Sequence, residues 1–378
     1  MWLSDLRSIP LRCLSRTFRM LGRSLIPVLL ALALVTADVP LFAESDEITA
    51  THKAYGVEYS VPNGPRNLTS EAPGRIWYTG AASDGIGLLE VTSPPGDPNV
   101  RYHTEFYGLA QGSEVYDLVY SNGFVWFTVR GRRSLGKIDV VTREITLYSL
   151  LTVGAAPTGI DVDTIGRLWI AQSNGRISRF DPTTETFAEF LLPSKLMKQP
   201  YIEDIAYHND RNIWFTMPNA DNVLVYNSIT ERFFEAPTGE FTPHNIVLDA
   251  EGRPWVTAYG SARVGRYTPT TNSIWIWFNT PSPESGPTGL LIFDDPSGVR
   301  QVWISESKTG SAGRIEIFNS FEVVNRDKLG LASPAGTPWG IIRAQDEHIW
   351  IADTSRNVLY EVAPPYIQQL YMASIHKE

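Results

Sequence analysis

Tryptophan recurs along this chain with a period that few folds tolerate. Trp77, Trp126, Trp169, Trp214, Trp255, Trp303 and Trp350 sit in the short apolar runs IWYT, VWFT, LWIA, IWFT, PWVT, VWIS and IWIA. The spacings are 49, 43, 45, 41, 48 and 47 residues, 45.5 on average. Self-similarity at a fixed period of this size is the mark of repeat architectures. Before five of the seven Trp residues, most often twelve places earlier, comes Pro-x-x-apolar: Pro65-Arg-Asn-Leu, Pro157-Thr-Gly-Ile, Pro243-His-Asn-Ile, Pro287-Thr-Gly-Leu and Pro338-Trp-Gly-Ile. Between them lies a turn signal such as Asp163-Thr-Ile-Gly166, Ser121-Asn-Gly123 or Asp249-Ala-Glu-Gly252.

After the Trp comes a second turn, then a run such as Gly175-Arg-Ile-Ser-Arg-Phe180 or Ala262-Arg-Val-Gly-Arg-Tyr267. A fourth, alternating run follows, such as Thr186–Leu192. No segment of the repeat keeps a helical period. Each repeat therefore reads as four short strands joined by tight turns, and seven such units predict an all-β, seven-bladed propeller of four-stranded antiparallel blades. The ring has to close, because an open one leaves an edge unpaired. Tyr55–Val61 has the phase of an outermost strand and is expected to complete the blade begun near Trp339. Tyr366–Met372 is its rival.

The N-terminus is a separate matter. Arg7, Arg12, Arg16, Arg19 and Arg23 precede an apolar run from Leu25 to Thr36, and small residues end at Ala43. This order describes an export signal over residues 1–43. The run is shorter than the roughly 20 residues that a span requires. The remaining divisions are a linker at 44–54, the propeller at 55–365 and a tail at 366–378. The expected location is secreted or extracytoplasmic, with membrane attachment only if the signal stays uncleaved. Cys13 is the one cysteine, so the mature chain has no disulfide or thiolate metal site. Net charge is −9, and it falls to −12 once the five Arg and two Asp of residues 1–43 are gone. So acidic a chain is not built to grip a phosphate backbone, which excludes nucleic acid as the expected partner.

Antiparallel pairing places the residue eleven before each Trp at the same end of the ring as the residue three after it. The first set includes Arg66, Tyr116, Thr158, Glu203, His244, Thr288 and Trp339. The second includes Gly80, Val129, Gln172, Met217, Ala258, Glu306 and Asp353. One face of a rigid ring is where binding groups collect. Arg66, Tyr116, Glu203, Thr288 and Trp339 are thus expected to bind a small molecule, peptide or protein loop, with the chain a monomer. The Trp residues themselves, all in one phase, are expected to pack blade against blade. Arg130-Gly-Arg-Arg133 is a basic loop at the same end. Trp275 and Trp277 lie on an outermost strand, as a docking edge or as packing. Asn67-Leu-Thr69 is a glycosylation sequon in a host that modifies exported proteins.

Units such as Pro157-Thr-Gly-Ile-Asp-Val-Asp-Thr-Ile-Gly-Arg-Leu-Trp-Ile-Ala, with Gly265-Arg-Tyr, resemble those of the virginiamycin B (streptogramin) lyases. The resemblance covers roughly residues 55–363 and implies the seven-bladed fold. It also implies a magnesium-assisted elimination that opens a cyclic lactone peptide, using two His and one Glu on successive blades. A base takes a proton next to a carbonyl and the metal steadies the charge that develops. Carried over, His244 is the catalytic base, Thr288 stands where the second His would be, and Glu306 falls on the metal, with Asp353 as a further metal candidate. No register supplies all three groups. A metal-assisted lyase or lactonase and a structural cell-surface propeller are therefore the alternatives to a binding module.

Overall fold

In the computed structural model, residues 56–364 are described except 95–96, 198, 209–210, 240, 270–273, 320–321 and 332–335, along with Phe42–Glu44, Ile48–Thr49 and Thr51–Lys53. The export-signal segment up to residue 41 and the tail from 366 lie outside the described residues. The short strands at 42–53 fall mostly in the stretch read as a linker. Among the described residues no helix is long and apolar enough to cross a membrane.

The chain forms seven antiparallel sheets in sequence order. Their innermost strands, which number the blades 1 to 7, are Pro65–Ala72, Val115–Ser121, Pro157–Val162, Ile205–His208, Pro243–Leu248, Pro287–Asp294 and Pro338–Arg343. Each Trp sits on the second strand and inserts into the next blade. Trp126 packs with Ile160, Leu168 and Phe180, and Trp255 with Leu290, Val302 and Ile304. Trp350 completes the circuit against Leu68, Ile76 and Tyr78 of blade 1. Five of the seven indoles are among the largest fully buried side chains. In blades 3 and 5 the turn aspartate also holds the indole. Asp163 accepts from Trp169 Nε1 at 3.2 Å and Asp249 from Trp255 Nε1 at 2.9 Å.

The last sheet takes its fourth strand from a segment that precedes blade 1 in the chain, and Thr51–Lys53 pairs outside it. Gly56–Ser60 pairs with Val358–Val362, with Tyr59 opposite Leu359 and Glu58 opposite Tyr360. Tyr59 is fully buried, 5.1 Å from both Trp350 and Tyr102, and donates to Glu361 at 2.5 Å.

Threonine hydroxyls join the blades near the axis. Thr79 donates to Tyr116 O, Thr128 to Thr158 O, and Thr158 to Ile202 O. Thr216 donates to His244 O, Thr257 to Thr288 O, Thr288 to Pro338 O, and Thr354 to Pro65 O. Every blade junction is crossed by one of these bonds. Four of these residues stand two places after the Trp, and each of the four also accepts an inner-strand N–H of its own blade. Thr257→Val keeps the shape but strands the Asn245 N–H and the Thr288 carbonyl. It is expected to cost about 1–3 kcal/mol in a denaturant melt.

The next position on each inner strand divides into two kinds. Asn67, Asp117, Asp204 and Asn245 reach across to the neighbouring blade. Gly159, Gly289 and Gly340 let the neighbouring backbone approach, and a Cβ on Gly289 would meet the Trp339 carbonyl. Asn67, part of the sequon, donates its amide to Tyr116 O at 2.9 Å and lines the axial cavity. It is a wall residue of the cavity. Trp275 and Trp277 stack 5.4 Å apart against the blade 4–5 core, and Trp275 donates to Ala236 O.

Candidate functional site

The inner strands surround a cavity of ≈ 180 Å³ on the ring axis. Its mouth is built from the residue at the start of each inner strand. Of the residues expected there, Tyr116, Glu203, His244, Thr288 and Trp339 line it. Arg66 completes the rim, its guanidinium carbon 4.5 Å from the Tyr116 ring centroid and 4.4 Å from that of Trp339. Tyr116 donates its hydroxyl to Glu203. His244 Nδ1 is 3.9 Å from the same Glu203 oxygen, and its ring lies 5.3 Å from Tyr259. Trp339, Arg66, Tyr116, Glu203, His244 and Tyr259 therefore form one chain of contacts around the rim.

The electrostatics follow from this packing. Burial holds the His244 pKa below the usual histidine range. The Glu203 charge pulls it up and the Arg66 charge pushes it further down. The ring is therefore neutral at pH 7. Burial and the Glu203 charge push the Tyr116 phenol well above its ordinary value, and they take Tyr201 up to about 12.

Beneath the rim lie acids that the spacing argument did not single out. Asp117 accepts from Leu118 N and from Ile160 N of the next blade. Asp204 accepts from Ile205 N, Ile246 N and the Asn245 amide. Asp161 links blades 3 and 4 in the same manner, through Tyr207 N. Away from bulk water the charged forms are disfavoured. Burial is the main cause that pushes Asp117 up to about 7 and Asp161 up to about 6. Asp204 is raised further by burial and by the nearby Asp117 charge. A signal was present, since Asp117 and Asp204 directly follow Tyr116 and Glu203 in the chain.

Two expected metal ligands are placed elsewhere. Glu306 is fully buried opposite Pro287, one strand further from the axis than the cavity wall. Its carboxylate accepts from Ser282 N at 3.1 Å, Ser282 Oγ at 2.6 Å and Ser311 Oγ at 2.8 Å. Asp353, fully buried opposite Pro338, accepts from Thr337 N, Ser355 Oγ, Arg356 N and Tyr360 OH. Thr288 is committed to backbone carbonyls. Spacing set the end of the ring correctly but not the distance from the axis. The residues matching the lyase set thus do not fit Mg²⁺, because Glu306 is spent on neutral donors and Thr288 on the blade 6–7 bond. Glu306→Gln is expected to lower the melting midpoint, by about 1–3 kcal/mol of lost hydrogen bonding. Ligand response at the mouth should stay unchanged, as tryptophan fluorescence would read. A group whose ligand atoms do gather, all within 4.8 Å, is Asp346, His348 and Glu361 in blade 7.

Arg130 of the basic loop stands 5.8 Å from the Tyr116 ring, and Lys308 lies over Tyr259 at 4.5 Å. With Arg66, the mouth therefore carries three cations among aromatic rings.

A streptogramin B lyase structure matches with a TM-score of 0.67 and 22% identity, over 86% of this chain and 97% of its own. A catalytically inactive virginiamycin B lyase from Staphylococcus aureus, solved with quinupristin, gives 0.66 and 21%, over 86% and 100%. The extracellular domain of a one-component system from B. thetaiotaomicron gives 0.58 and 16%, over 82% of this chain and 43% of the other. At these identities the likeness is one of fold. No curated protein sequence matches. The virginiamycin B lyase family model matches residues 47–252, more than half of the chain, so the chain belongs to the virginiamycin B lyase family.

Proposed function

We propose that this propeller is a ligand-binding member of its family, holding a small molecule or peptide over the axial cavity. The observation that carries this reading is the unbroken rim from Trp339 through Arg66, Tyr116 and Glu203 to His244. It combines apolar ring faces with a few polar groups converging on a concave site, the usual build of a small-ligand pocket. The lyase reading lacks a second histidine and a free glutamate. What favours it is His244, which is neutral and close to Glu203, as a general base for a cyclic ester needs. Export fits this role, since the chain resembles extracellular propeller domains. Cell fractionation would test it.

Quinupristin separates the two readings. Added to the full chain, it is expected to change the fluorescence of Trp339 and to be recovered as the intact ring by mass spectrometry. Linearised product that disappears in His244→Ala would establish the lyase instead. A fluorescence change retained in Trp339→Phe would place the ligand elsewhere.

A further inference from the structure

We propose that the mouth selects ligands bearing a carboxylate, with the edge of the Arg66 guanidinium as its receptor. This rests on the binding reading above and specifies its chemistry. The guanidinium carbon lies over the Tyr116 ring at 4.5 Å and over the Trp339 ring at 4.4 Å, so its N–H groups are what it has left to offer a ligand. Its one hydrogen bond runs from Nη2 to the Tyr116 hydroxyl at 3.4 Å, and its buried Nε has no partner. No carboxylate among the described residues forms an ion pair with it. A guanidinium is a planar fork suited to bidentate contact with a carboxylate. A buried donor left unmade is costly, so the missing acceptor is one the ligand supplies.

The nearest acid does not fill that place. Glu203 takes the Tyr116 hydroxyl on one side and faces His244 on the other. Tyr116 thus stands between the cation and the protein's own anion. The surrounding field agrees. Lys308 adds positive charge at the rim, as does Arg130, which faces Glu114 at 4.0 Å, in a chain whose net charge is −9, and local charge of that sign draws anions in. Glu203 belongs to the same rim. Its charge disfavours a doubly charged phosphate more than a single carboxylate. Trp339, which lines the cavity, provides a face for an apolar or aromatic body. The class indicated is an aromatic monocarboxylate, such as an acylated amino acid or a peptide C-terminus.

The test compares N-acetyl-phenylalanine with its neutral amide by calorimetry and by Trp339 fluorescence. The wild type is expected to bind the carboxylate roughly tenfold or more tightly than the amide, the range for one good charge-assisted contact. Arg66→Gln is expected to erase that preference and Arg66→Lys to restore part of it. Near-UV circular dichroism of each variant shows whether the mouth is still formed. Equal binding of the two probes, or a preference that survives Arg66→Gln, overturns the carboxylate assignment and leaves the binding site standing. No response to either probe overturns the assignment, and silence to quinupristin as well removes the binding reading with it.

Discussion

The wild type is expected to lose stability between about pH 4 and pH 7, and Asp117→Asn to flatten that dependence. In the folded protein the Asp117 carboxyl keeps its proton up to about 7, whereas in the unfolded chain it loses it near 4. A group raised in this way contributes fully below the unfolded value. Its contribution is lost as pH climbs through the window. Each tenfold difference in proton affinity between the folded and unfolded chain is worth about 1.4 kcal/mol, so the wild type should weaken by roughly 3 kcal/mol over that range. Asp161, raised to about 6, adds in the same direction over a lower window. Asp204 interacts with Asp117, so the two titrate as a pair. His244 acts oppositely. Its lowered value makes acid destabilising below the ordinary histidine range. Urea melts at half-unit pH intervals read the slope for wild type, Asp117→Asn and His244→Gln. A His244→Gln variant equally stable at pH 4.5 and pH 7.5 would mean that the axial acids stay ionised throughout.

Removing residues 1–60 is expected to abolish cooperative folding. The truncation takes away the fourth strand of the last blade, with the short strand outside it, and uncovers the edge of Val358–Val362. It also removes the Tyr59 ring from between Trp350 and Tyr102. Tyr59→Ala alone should cost about 3–5 kcal/mol, as for other large aromatic side chains deleted from a core. A single unfolding transition at the wild-type midpoint for residues 61–378 would show that another segment closes the ring.

The blade count was readable because one Trp per repeat kept its phase over seven units. It keeps that phase because each indole fills the same place against the next blade. The strand ends were readable too, so Tyr116, Glu203, His244, Thr288 and Trp339 came out at the mouth. Distance from the axis was not readable. Glu306 and Asp353 share that end, but each lies on a second strand and turns toward its own loops. Thr79, Thr128, Thr216 and Thr257 were visible in the repeated runs. Their work spans two blades, so no single repeat reveals it. The same holds for Asp117 and Asp204, which are brought together from two blades apart. Alternation along one strand carries no information about such a pair.

The place where the ring is joined has a mechanical consequence. Residues from the two halves of the chain, 56–60 and 358–362, meet inside a sheet, as its fourth and third strands, and not at a boundary between two blades. Prising the circle apart at that seam means shearing a β-ladder together with a buried tyrosine, not merely peeling one apolar face from another. Resistance of that kind lies in the barrier to opening as well as in the final balance. Such a protein should outlast proteolytic attack for longer than its equilibrium stability alone would indicate.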